Sequence, residues 1–312
     1  MTTVLEPTVG GKAPDAEPAG RAQKRKEMLV GYAFVAIPMA IFLAFFIFPM
    51  VYAVYISVFD WGVRGKIESV GLANYQELVR DELFWRAVRN TVVYALEVVA
   101  LQTPLGLLLA LIVNAGIRGR TFFRAAFYFP SLASSAAITA IFIFILNAGG
   151  LFNRILGFFG LPDDIAWFAD DRFALHAIVG LNAWTTSGTI MLFYLAYLQS
   201  IPTDVYEAAA IDGTSRWRTF WKITMPLLKP GHFFVLTVSI IGALKVFDQA
   251  YIVSRGEGGP NYSTLTIVLQ LYRSAINDLR FGYAAAMGVF LFVFLFTVTL
   301  VQKRLFGNTE AS

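Results

Sequence analysis

Asn182, Trp184, Thr185, Thr186, Ser187 and Thr189 stand within one long apolar run, and Ser239, Lys245, Asp248, Gln249 and Tyr251 within another. Side chains of these types are costly in hydrocarbon, so they concentrate where they face a helix-bundle interior or a water-filled path. The chemistry on offer is reversible hydrogen bonding to a polar solute. The competing reading is helix-to-helix hydrogen bonding together with a Lys245–Asp248 pair at i, i+3 spacing. A third apolar run contains Glu97 and Gln102. Glu97 is a candidate proton-coupling carboxylate, but Asp248 is its only acidic counterpart on another run, and a structural role fits it better. Thiolate and disulfide chemistry are excluded because Cys is absent, and His176 and His232 lie on separate segments without a ligand-spaced partner. The nearest approach to a nucleotide-binding P-loop, Gly65-Lys66, is followed by Ile67 rather than Ser or Thr.

The elements that must position these residues are membrane-spanning helices. Apolar residues make up 57% of the chain and charged residues 15%, against about 45–50% and about 25% in soluble domains. The apolar residues gather in uninterrupted runs of a length that spans a bilayer. Spans are expected at Leu29 to Phe59, Val88 to Val113, Phe122 to Leu146, Phe173 to Leu198, Phe233 to Val253 and Tyr283 to Val301. The fold class is therefore all-α integral membrane, with about six transmembrane helices in one domain over residues 28–306. Pro38, Pro49, Pro104 and Pro130 fall inside spans, where kinks are expected. Residues 1–27 read as a disordered basic tail and residues 307–312 as a second short tail.

Lys24 to Lys26, Arg118, Arg120, Arg124, Arg216, Arg218, Lys222, Lys229, Lys303 and Arg304 all fall on one side of this arrangement. The positive-inside rule makes that side cytoplasmic and puts both termini there. The net charge of +4 is thus read as topology. With the basic residues spread over several loops and no RNA-binding aromatic motif, no nucleic-acid partner is expected.

Residues 200–230 leave the membrane on the basic side, yet they are built like structure rather than a loose connector. Thr203 or Asp204 is placed to cap a short helix, with Glu207 completing a capping box and Gly213 in the left-handed position after its end. A second helix should start near Thr214 or Ser215 and stop before Pro226, gathering Trp217, Phe220 and Trp221 on a face that seeks burial. Two interfacial helices lying on the bilayer would share these features. The spacing Glu207-Ala208-Ala209, three residues, Gly213, nine residues, Ile223, one residue, Met225-Pro226 resembles the EAA loop of ABC importer permeases, with Met225 where Leu is usual. Gly71-Leu72-Ala73-Asn74-Tyr75, Asn90-Thr91, Tyr128-Phe129-Pro130 and Gly258-Gly259-Pro260 follow the same family's order. Together they resemble its carbohydrate branch, the maltose, oligosaccharide and glycerol-phosphate permeases, without the extra amino-terminal spans or large external insertion of some members.

That resemblance implies a type I importer permease fold and a subunit that is not itself an enzyme. Glu207, Ala208, Ala209, Gly213, Ile223 and Pro226 would couple the spans to a cytoplasmic ATPase. Asn182, Trp184, Thr186, Thr189, Ser239, Asp248, Gln249 and Tyr251 would line the path of a sugar, the amides, hydroxyls and carboxylate meeting its hydroxyls and Trp184 or Tyr251 stacking on its face. It further implies no cofactor in this chain, ATP and Mg being bound by two partner ATPases. The other implied partners are a second permease, commonly a different chain, an extracytoplasmic sugar-binding protein and the lipid bilayer. The setting would be a bacterial or archaeal cytoplasmic membrane. The alternative is an ion-coupled secondary transporter or channel that works without an ATPase.

Overall fold

A computed structural model describes residues 20–116 and 118–306. The expected tails at 1–27 and 307–312 lie mostly outside these residues, but from Arg21 onward the chain is already helical, so the first helix starts inside the segment read as tail.

The described residues up to Tyr52 form a unit of their own. Its α1 (Arg21–Phe42) passes through a π-helical stretch, Leu43–Ile47, into α2 (Phe48–Ile56). The wide turn closes where Phe48 N donates to Leu43 O, immediately before Pro49. Proline lacks an N–H and its ring crowds the carbonyl four residues back, and a wider turn relieves that crowding without ending the helix.

The described residues from Ala53 onward form the second unit. An antiparallel hairpin of β1 (Phe59–Gly62) and β2 (Gly65–Ser69) precedes α3 (Ala73–Arg80). Here the Gly71-to-Tyr75 motif acts as a clasp, since Asn74 Nδ2 donates to the carbonyls of Ser57 and Phe59 at 2.8 and 3.0 Å. Helix α4 (Glu82–Asn114) begins at Asp81, whose carboxylate accepts from Leu83 N and Phe84 N at 2.8 and 3.2 Å and also from Tyr283 Oη at 2.6 Å. That cap ties the start of α4 to the last helix.

Then follow α5 (Arg120–Leu132), α6 (Ser135–Ile145), α7 (Leu151–Phe158), α8 (Ala174–Ser200), α9 (Thr203–Ile211), α10 (Arg216–Thr219), α11 (Met225–Leu227), α12 (Lys229–Leu244), α13 (Asp248–Ser254), α14 (Ile267–Tyr272) and α15 (Phe281–Phe306). Among the described residues five helices are long and apolar enough to cross a membrane, or up to six if the bent α5–α6 pair is one span.

The α4–α8 pair is the most extensive contact of the unit, with α12 and α5 packed against it. Close packing rather than exclusion of water stabilises such pairs in lipid, so small residues matter at the crossings. A Cβ at Gly106 would lie 2.5 Å from Ile190 Cγ2, and one at Gly188 would collide with the Phe127 carbonyl of α5. Tyr94, Val98, Ile178, Val179 and Leu244 belong to one core cluster, and Ile190, Met191, Tyr194, Leu195 and Leu228 to another.

Two expected spans are not continuous. The third is broken at Ala133 and Ser134, whose extended backbone turns α6 by 93° from α5. Pro130 lies inside the last turn of α5 and is not the break. The fifth stops at Leu244 and resumes at Asp248. Non-helical backbone at membrane depth is tolerated only where protein buries it or a wet cavity is beside it. Both breaks border such a cavity.

Candidate functional site

A cavity of about 380 Å³ lies between α4, α8 and the α12–α13 break. Asn182, Thr186, Thr189, Ser239, Asp248 and Gln249 line it, as do Gln102 and Lys245. A neighbouring space of about 160 Å³ shares Asn182, Thr186, Thr189 and Gln249 and is closed by Ser131 and Ser135 at the α5–α6 break. Bonds between helices organise this wall. Asn182 Nδ2 donates to Tyr94 Oη, Thr186 Oγ1 donates to Gln102 Oε1, and Ser131 Oγ donates to the Thr185 carbonyl. The Ser239 hydroxyl is buried in the lining without a hydrogen-bond partner.

Lys245 and Asp248 face the same cavity but form no ion pair. The i, i+3 pair of the competing reading does not form because the helix that would have set its spacing is interrupted between them. Each charge instead matches a helix end: Lys245 caps the carboxyl terminus of α12 and Asp248 opens the first turn of α13.

Trp184 and Tyr251 are outside the cavity. Trp184 points to the outer surface, 47% exposed, with Phe142 at 5.5 Å, because it sits on the side of α8 away from the lining residues. Tyr251 packs on Phe247 and Tyr272 at 5.3 Å each. Gln102 was visible to sequence reasoning as a polar residue in an apolar run, but Tyr94 was not, since a tyrosine in such a run reads as packing. Glu97 is bonded to His176, with Oε2 2.7 Å from Nδ1.

The 201–228 loop is built differently. Helix α9 starts at Pro202 with no side-chain cap, so neither Thr203 nor Asp204 closes the expected capping box; the proline's own fixed φ of −59° sets the entry. Gly213 has φ +66°, the left-handed turn expected there. Ser215 caps α10 through Arg218 N at 3.4 Å. The chain does not stop before Pro226: a π-helical stretch, Phe220–Thr224, closes with Met225 N on Phe220 O and lets the chain run through the proline into α11, as it does before Pro49.

Glu207, Ala208, Gly213 and Pro226 are exposed, Ile223 is half-buried, and Ala209 is buried with its carbonyl accepting from Thr214 Oγ1 at 2.7 Å. The aromatic face is uncovered by the rest of the chain at Trp217 and Trp221, 72% and 49% exposed with their rings 5.6 Å apart, while Phe220 is half-buried.

At the opposite end of the unit, a pocket of about 280 Å³ is lined by Arg86, Arg89, Asp171, Arg172, His176 and Ser263, among others. Asp170 beside it is pushed down to about 2 by the hydrogen bonds of Arg172, which in turn hold that guanidinium firmly protonated. Asn90 Nδ2 pins the adjoining loop through the carbonyls of Tyr262 and Leu265 at 2.8 and 3.0 Å, and Thr91 Oγ1 accepts from Ile267 N at 2.9 Å. Among the described residues no group of three or more His, Cys, Asp or Glu is arranged to hold a metal ion.

An all-α membrane protein with broken helices around a polar cavity and a structured loop between the two spans that line it defines a transporter permease. The chain belongs to the family of binding-protein-dependent transport system inner membrane components, whose family model matches residues 102–308. It is 35% identical over 293 residues to a Bacillus subtilis protein named "Probable ABC transporter permease protein YesP", covering 93% of this chain and 94% of that one. It is 33% identical over 282 residues to the multiple sugar-binding transport system permease protein MsmF of Streptococcus mutans, covering 90% and 96%. Its fold matches a chain of the bacterial alginate ABC transporter, crystallised with an alginate pentasaccharide-bound periplasmic protein, at a TM-score of 0.79 and 23% identity over 91% of this chain and 96% of that one.

Proposed function

We propose that this chain is one of two permease subunits of an ATP-driven sugar importer, contributing half of the translocation path. The observation that carries the reading is the shared cavity: hydroxyls, amides and a carboxylate from α8, α12 and α13 converge on one space large enough for a sugar ring. Asn182, Thr186, Thr189, Ser239, Asp248 and Gln249 are its solute contacts, with Gln102 and Tyr94 holding Thr186 and Asn182 in position. The sugar names of relatives such as MsmF support the substrate class.

Glu207, Ala208 and Gly213 present α9 to a cytoplasmic ATPase, while Ala209, Ile223 and Pro226 shape the support behind it. Exposure of the apolar Ile211 and Trp217 on this segment supports a protein partner there. Two ATPases, which bind ATP and Mg, and a second permease complete the complex; an extracytoplasmic binding protein delivers the sugar. The basic residues on the 201–228 side support a cytoplasmic-membrane location with that loop and both termini inside. The chain catalyses no reaction itself.

The test is reconstitution of the purified complex in liposomes. Uptake that requires ATP and the binding protein is expected. Uptake by this chain alone, driven by an ion gradient, overturns the reading in favour of a secondary transporter.

A further inference from the structure

Helix α7 (Leu151–Phe158) lies in the connection between α6 and α8, at the end of α8 away from the 201–228 loop. Its inner face is fixed by one amide. Asn153 is fully buried, with Nδ2 donating to the carbonyls of Asn147, Ala148 and Ile165 at 3.1, 3.0 and 2.7 Å and Oδ1 accepting from Trp167 Nε1 at 2.8 Å. Gly157, one turn further on, lets the following loop close on the same side, since a Cβ there would lie 2.9 Å from Asp163 Oδ2. These contacts set how the helix is rolled about its axis, and helical spacing then puts Leu151, Ile155 and Phe158 on the side opposite Asn153. All three are exposed, Phe158 by 85%, and the exposed Phe159 extends the same apolar surface.

The surroundings of this face say what meets it. Five residues, 146–150, separate α7 from α6, which belongs to the bent pair apolar enough to cross a membrane. Helix α6 leaves Ile141 and Phe144 exposed, Phe144 by 79%, as the outward side of a membrane-crossing segment is when it meets acyl chains. The α7 face continues that character, with no charge and no hydrogen-bonding side chain among its four residues, whereas a protein interface has a polar, hydrogen-bonded rim. At its edge stands Arg154, exposed and in no ion pair among the described residues. An apolar helix face flanked by a cation on a long stem suits the boundary between acyl chains and headgroup phosphates. Past the face, Gly160 at φ +73° turns the chain, and Pro162, Asp163 and Asp164 are exposed, a polar return to water.

We infer that α7 is an interfacial helix seated in the leaflet opposite the 201–228 loop, with Leu151, Ile155, Phe158 and Phe159 against acyl chains and Arg154 at the level of the headgroup phosphates. Through the Asn153 bonds to Ile165 and Trp167, that seat holds the segment entering α8 at a set height in the bilayer.

The chain has no Cys, so single sites can be labelled without altering its background. The test places a nitroxide on Arg154→Cys, Ile155→Cys, Phe158→Cys or Asp164→Cys in the full importer, its partner subunits cysteine-free, in nanodiscs of phosphatidylethanolamine and phosphatidylglycerol. Power saturation compares relaxation by oxygen, which partitions into lipid, with relaxation by a water-soluble nickel chelate. Oxygen should dominate at 155 and 158 and nickel at 164, with 154 between them. Nickel dominating at 155 and 158 puts the face in water and overturns the inference. Labels there that neither reagent relaxes overturn it as well, since the face is then covered by protein. Nickel dominance at 154 equal to that at 164 removes Arg154 from the headgroup level. Asp164→Cys, outside the apolar face, reports whether the fold tolerates labelling, through ATP-driven uptake equal to that of the unlabelled importer. The relaxation readout does not depend on transport, so an importer without sugar uptake sinks the permease reading and leaves this one to be judged on depth.

Discussion

The central cavity and the 201–228 loop solve opposite problems. In the α4–α8 wall of the cavity, polar side chains on one helix are satisfied by polar side chains on the other, as Asn182 is by Tyr94 and Thr186 by Gln102, so that wall is held together within this chain. In the loop, backbone devices fix the shape while the outer surface is left open: Pro202 begins α9, Gly213 ends it, and Ile211 remains 87% exposed. The difference teaches that helices crossing lipid must satisfy most polar groups at their contacts from within, leaving only those that face the cavity open, whereas a docking segment in water can leave its whole outer face unpartnered. Mutations should therefore act at the cavity by small, divisible amounts and at the loop in an all-or-none manner.

The largest effect is expected from Gly213→Val. A β-branched residue at φ +66° is strained by about 1–2 kcal/mol, and the whole α9–α10 turn depends on that conformation. Sugar uptake should fall to background, with the ATPases co-purifying poorly or hydrolysing ATP without response to loaded binding protein. Normal uptake in this variant would show that the loop tolerates a different turn and weaken the contrast drawn above.

Glu207→Lys should come next. The side chain is exposed, so the unit should fold normally and the loss should appear in coupling, as uptake abolished at unchanged expression. If the segment merely lay on an anionic membrane surface, added positive charge would leave transport largely intact.

Asn182→Ala, Asp248→Ala and Gln249→Ala should each give partial losses with assembly preserved. An interhelical hydrogen bond in a membrane averages about 0.6 kcal/mol, equivalent to roughly threefold in rate or affinity. Combining two of them should multiply the loss, and wild-type uptake in all three single variants would remove them from the pathway. The smallest effect belongs to Trp184→Ala, because Trp184 faces away from the cavity and packs on Phe142. Strong loss of uptake there, with normal assembly, would restore it to the solute path.

Much of this was legible beforehand because it depends on local sequence. A run of apolar residues reports a span whatever surrounds it, and Gly213 reports a left-handed turn because other residues resist that conformation. The association of Asn182, Thr186, Ser239, Asp248 and Gln249 was readable for a related reason: polar residues in hydrocarbon must converge on something. Pro226 was misread because proline's local rule ends an α-helix, while a wider turn in the residues before it keeps this one going.

What the sequence determined by itself, then, was the membrane class, the basic-side loop with its glycine turn, and the polar residues that had to find company, since each follows from the properties of a short stretch and its solvent. Only tertiary structure decided where the third and fifth spans break, which side of α8 lines the cavity, that Tyr94 and Gln102 hold the lining, and that Lys245 and Asp248 stand apart. Those outcomes depend on contacts between helices distant in the chain, such as α4 with α8, whose crossing is set by how closely Gly106 and Gly188 let neighbouring elements approach, and no local pattern encodes that distance.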